Sequence, residues 1–114
     1  VKIIKINNKD YIIKYSINQL IAMEKATGKP FTALFGEGDD ISLEALRTLI
    51  YYGLKDGMKE LTHEQTGDII ADAIEGGISF LELAKEFTVE MGKSLGFKKE
   101  DMSFEGEETD IKNV

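Results

Sequence analysis

The chain has 114 residues and contains no cysteine, one proline and one histidine. Without cysteine it has no disulfide, no thiolate nucleophile and no Cys-ligated zinc or iron–sulfur centre. That is compatible with a reducing cytosol. No apolar run approaches the roughly 18 residues of a membrane span, so no membrane partner is expected. Acidic residues outnumber basic ones by 21 to 14, for a net charge of −7. Such a chain repels phosphate backbones, and no nucleic-acid partner is expected either.

What is present suits one soluble globular domain: 42% hydrophobic and 31% charged residues. A chain of this size can bury roughly 60–70% of its unfolded surface, enough for a core without covalent staples. The charges are segregated. Residues 1–29 carry +4, residues 30–98 carry −7 and residues 99–114 carry −4. Either these charges are solvated surface, or the basic and acidic ends attract one another or a charged partner.

The opening VKIIKINNKDYIIKY predicts a β-hairpin, with Asn7-Asn8 in a two-residue turn that needs positive φ at both positions. That register puts Ile4, Ile6, Tyr11, Ile13 and Tyr15 on the packing face, and Val1, Ile3, Lys5, Asp10, Ile12 and Lys14 on the other. Helices follow, each with its own start signal. Ser16 with Gln19 predicts a capping box, stapled by Tyr15 and Leu20, for a helix that runs to Thr27 and stops at Gly28. Pro30 opens a short turn through Phe35. Gly36 to Asp40 reads as a solvated loop. Ser42 starts a helix with the stripe Leu43, Leu46, Leu49, Ile50, Gly53 and Leu54, ending near Asp56-Gly57. Thr62 with Gln65 and Ser79 with Glu82 predict two further capping boxes. The last helix presents Phe80, Leu83, Ala84, Phe87, Met91 and Leu95 on one face and ends at Gly96. Glu82, Glu86 and Glu90 recur every four residues and read as a wet face relieved by Lys85 and Lys93. The predicted class is α+β, mostly α: a hairpin and about four bundled helices over residues 1–98, then a disordered acidic tail over 99–114.

Catalytic patterns are near misses. His63-Glu64-Gln65-Thr66-Gly67 begins like a zinc-protease helix but has Gly where the second His belongs. Gly92-Lys93-Ser94-Leu95-Gly96 has the letters of a nucleophile elbow, yet a helix precedes it where a strand is required. The same Gly-Lys-Ser lacks the upstream glycine of a phosphate loop, where Phe87 stands. The acidic loop at 36–40 lacks the ligand order of a calcium site. The expectation is a protein with no catalytic residue, no bound metal and no cofactor.

The hairpin IKINNKDYIIKY, the helix ending Glu24-Lys25-Ala26-Thr27-Gly28-Lys29, Leu46-Arg47-Thr48-Leu49 followed by Gly53-Leu54, and the opening Leu61-Thr62-His63-Glu64 together resemble the tail assembly chaperones of long-tailed bacteriophages and prophages. The resemblance covers about residues 2–97 and rests on order and spacing. It implies a non-enzymatic role: binding the long, helical tape measure protein in many copies, keeping it soluble, and helping the tail tube protein polymerise around it. It also implies work in the cytoplasm of the bacterial host and absence from the mature virion. The rival is a structural particle component, a connector or tail subunit. A holding chaperone needs apolar surface for its client. Tyr51 and Tyr52 are adjacent on a helix. Either one is core and the other half-exposed, or Tyr52 meets a partner or a second copy. Met102 and Phe104 stand out as apolar residues in the acidic tail and are the other candidate partner contacts.

Overall fold

Two asparagines in the left-handed region, Asn7 at φ 51° and Asn8 at φ 66°, reverse the chain between strands β1 (Lys2–Ile6) and β2 (Lys9–Ile13). A two-residue turn of this hand matches the right-handed twist of its strands, and Asn tolerates it. The antiparallel register pairs Ile6 with Lys9, Ile4 with Tyr11 and Ile3 with Ile12. Side chains alternate across the sheet. Ile4, Ile6, Tyr11, Ile13 and Tyr15 are therefore all buried, while Ile3 and Ile12 face outward. The computed structural model describes residues 2–35 and 41–97. The loop expected at 36–40 and the tail expected at 99–114, with Met102 and Phe104, lie outside the described residues.

Helices α1 (Ile17–Thr27), α2 (Leu43–Leu54), α3 (His63–Glu75) and α4 (Phe80–Ser94) follow, with a 3₁₀ turn at Phe31–Phe35 between α1 and α2. Two capping boxes close as expected. Thr62 and Gln65 exchange bonds of 3.0 and 3.1 Å, and Ser79 and Glu82 two of 3.1 Å. The third does not. Ser16 Oγ accepts from the Gln19 backbone N–H at 3.1 Å, but the Gln19 amide turns away and donates to the Tyr52 carbonyl at 3.2 Å. The tertiary carbonyl on α2 draws the Gln19 side chain away from the Ser16 N–H, from which it would accept in a capping box. Gly28 at φ 72° ends α1, and its N–H donates to the Glu24 carbonyl. The Glu24 carboxylate then accepts from the Phe31 N–H at 2.9 Å and so ties the 3₁₀ turn to α1. Helix α2 closes at Leu54, earlier than expected. The turn that follows still donates the Gly57 and Met58 N–H groups to the Leu54 carbonyl. Leu43 belongs to the expected stripe but is exposed, because it is the first residue of the helix and lies beyond the core.

One core cluster draws on both strands and all four helices. The hairpin enters it at its closest approach to α2. The buried Tyr15 hydroxyl donates to the Leu49 carbonyl at 2.5 Å, and the Lys14 N–H donates to the Gly53 carbonyl at 2.9 Å. A Cβ on Gly53 would stand 2.6 Å from the Tyr15 hydroxyl and 3.0 Å from the Phe87 ring. Glycine is required there by the approach of two aromatics.

The row Glu82, Glu86, Glu90 is not a uniform wet face. Glu82 is exposed, Glu86 is partly buried and pairs with Lys2, and Glu90 is only 6% exposed. Each four-residue step overshoots a helical turn by about 40°, so two steps carry the row about 80° round toward the core. Glu90 lands between Phe87 and Met91, where Lys93 Nζ meets its carboxylate at 3.3 Å. Burial raises the Tyr15 phenol well above the ordinary tyrosine range, and the Glu90 charge raises it further.

Two stability outcomes follow from the Tyr15–Gly53 contact. Gly53→Ala should destabilise by about 1–3 kcal/mol through overpacking, more than helix propensity returns. By contrast, Gly67→Ala on α3 should stabilise by about 0.5–1 kcal/mol, since its Cβ would meet nothing nearer than Arg47 Cδ at 4.0 Å. Urea midpoints for the two variants should move in opposite directions. Below about pH 10 both folded and unfolded chains keep the Tyr15 proton, and its contribution is intact. Above that, the unfolded chain releases the proton first. Stability then falls by about 1.4 kcal/mol per pH unit until the folded value is passed. Tyr15→Phe should cost about 0.5–1.5 kcal/mol at neutral pH and flatten the alkaline loss, read by urea titrations from pH 7 to 11.

Candidate partner-binding site

Helix α2 carries its apolar stripe on one side and an aromatic pair at its C-terminal end. Tyr51 and Tyr52 are both partly buried, so neither of them is a core residue. Their rings meet edge to face, with centroids 4.9 Å apart at 85°. Tyr51 stacks on His63, the first residue of α3, at 4.0 Å and 14°. Lys55 Nζ lies 5.1 Å from the Tyr51 centroid and donates to the Leu61 carbonyl at 3.0 Å. Tyr51 is thus committed to the α2–α3 junction.

Tyr52 lines an open cleft of about 660 Å³. Ala26, Thr27 and Lys29 at the end of α1 form one wall, with Ala33 of the 3₁₀ turn. Ser42, Glu44, Ala45, Arg47, Thr48 and Tyr52 of α2 form the other, and His63 stands at the rim. Partial burial raises the Tyr52 phenol above its ordinary value, with a smaller push from Tyr51. The Gln19 bond to the Tyr52 carbonyl clamps α1 to α2 beside the cleft.

The cleft was not legible in the sequence because its walls come from segments nine or more residues apart, brought together only by the packing of α1 on α2. One signal was available. Arg47 is the single arginine of the chain and lies just off the buried positions Leu46 and Leu49. The other sequence candidates fall elsewhere. His63 is exposed and stacked on Tyr51. Gly92 to Ser94 form the last turn of α4, where the Ser94 hydroxyl donates to the Met91 carbonyl at 2.6 Å. Among the described residues, no three acidic or histidine side chains are grouped to hold a metal ion, and no helix is long and apolar enough to cross a membrane.

No family model, curated protein or solved structure matches the chain.

The chain has four tyrosines and no tryptophan, so absorbance at 295 nm reports phenol ionisation cleanly. The native protein should show late ionisation from Tyr15 and Tyr52. Tyr52→Phe should remove a late component that titrates above about pH 10 and leave the Tyr15 component in place.

Proposed function

We propose that this protein is a tail assembly chaperone of a long-tailed bacteriophage, which binds the tape measure protein, keeps it soluble and promotes assembly of the tail tube. The observation that carries the reading is the helix-walled cleft with the partly buried Tyr52 inside it. A groove between helices accepts the side chains of an amphipathic helix, and a tape measure protein is a long series of such helices. Aromatic rings with polar tips are favoured at surfaces that alternate between free and bound. Away from the cleft, α1 leaves Ile17 and Ile21 exposed at four-residue spacing, 52% and 44% accessible. That gives a client helix an apolar stripe to lie against. The net charge of −7 keeps such a surface soluble before the client arrives. The sequence resemblance over residues 2–97 supplies the identity of the client. The protein acts by binding and leaves the assembled tail.

Co-expression with the long helical protein encoded downstream tests this directly. The client should become soluble and co-purify, and Tyr52→Ala should reduce recovery at least fivefold with the fold intact by circular dichroism. A client that stays insoluble, or that co-purifies equally with Tyr52→Ala, would overturn the reading. Stoichiometric retention in purified virions would assign the chain to the particle as a connector or tail subunit.

A further inference from the structure

We propose that the α1–α2 cleft holds a carboxylate of the bound partner, with the Arg47 guanidinium as its anchor. Of the fourteen basic residues only this one is arginine. Its aliphatic stem passes Gly67 of α3, where an added Cβ would meet Arg47 Cδ at 4.0 Å. Its Nε is shut off from solvent and has no hydrogen-bond partner among the described residues. A donor withdrawn from water with nothing to donate to is destabilising until an acceptor arrives. Other interior polar groups are met: the Thr66 hydroxyl donates to the Thr62 carbonyl at 2.8 Å, and Glu90 has Lys93. Glu86 Oε1 is also buried without a hydrogen bond, but Lys2 pairs with that carboxylate; Arg47 has no such partner among the described residues, and it lines the cleft.

The shape and charge of the surroundings select the ligand. Guanidinium presents a planar fork of N–H donors that fits a carboxylate through two parallel bonds, which lysine cannot reproduce. Lys29 and His63 line the same cleft, and the Thr48 and Tyr52 hydroxyls can donate. Glu44 lines it too, and among the described residues no ion pair joins it to Arg47. A second negative charge in the cleft penalises a phosphate dianion more than a carboxylate. The ligand is therefore an Asp or Glu side chain presented by the client helix, an assignment that rests on the chaperone reading. The site itself does not rest on it.

A lone arginine makes the test direct, because its Nε–Hε pair gives one assignable NMR signal in the full-length ¹⁵N-labelled protein. Titration with N-acetyl-glutamate amide should move that signal saturably. N-acetyl-glutamine amide and sodium chloride should not, and inorganic phosphate should bind at least fivefold more weakly. In Arg47→Lys, the Thr48 amide should report binding weakened at least tenfold. A signal that stays still, or that follows ionic strength alike for every salt, would overturn the site. So would a free-protein signal that shifts when Glu37→Gln, Asp39→Asn and Asp40→Asn are introduced together, since the anchor would then be held by its own chain. A saturable titration alongside failed co-purification of the client would remove the chaperone reading and leave the site. Co-purification without a saturable titration would remove the site alone.

Discussion

The fold depends on how closely Tyr15 can approach α2. A two-stranded hairpin is marginal in water and holds only when one face is covered. Here the cover is α2, and the approach is set by the absence of a side chain at Gly53. The Tyr15 ring lies against that bare backbone, its hydroxyl reaches the Leu49 carbonyl, and the neighbouring Lys14 N–H reaches the Gly53 carbonyl. Phe87 of α4 closes over the same glycine. Strand, central helix and last helix therefore meet at one point, and each needs the other two in place. The hairpin tip comes close to the end of α3. A Cβ on Gly76, just past α3, would stand 2.8 Å from the Asn7 side-chain oxygen.

This geometry has an electrostatic consequence. Glu90 is buried on α4 close enough to raise the Tyr15 phenol further, beyond the effect of burial. A carboxylate in such a place is tolerated because Lys93 folds over it from the next turn. The pair of Lys2 with Glu86 joins β1 to the same helix. More exposed ion pairs such as Lys5–Asp10 and Lys14–Asp56 contribute little to stability. The Tyr15 hydroxyl stays a donor across the physiological range, so the hairpin remains latched.

Helix α1 is held differently. It buries only Leu20 and Met23, against six buried residues in α2. Its remaining ties are polar: Gln19 to the Tyr52 carbonyl and Glu24 to the 3₁₀ turn. Local stability follows buried apolar contact, so α1 is the least anchored helix, and it forms one wall of the cleft. A surface of this kind can move without disturbing the latch at Gly53. The proposed partner role draws on that division between a fixed centre and a loosely held wall.

Much of the fold was legible in the sequence. The Asn7-Asn8 turn, the caps at Ser42, Thr62 and Ser79, and the stop at Gly28 depend on residues within about four positions of one another, and the inward set from Ile4 to Tyr15 follows from that turn and the alternation of the strands. Backbone sterics and side-chain reach favour such features locally. The candidate site was legible only in part. Tyr51 and Tyr52 stood out as an adjacent aromatic pair, but not that Tyr51 would stack on His63 and leave Tyr52 to the cleft. The position of Glu90, the second use found for Gln19 and the isolation of Arg47 were decided by tertiary structure alone. Each turns on the distance and rotation between elements far apart in the chain, and no local pattern encodes those.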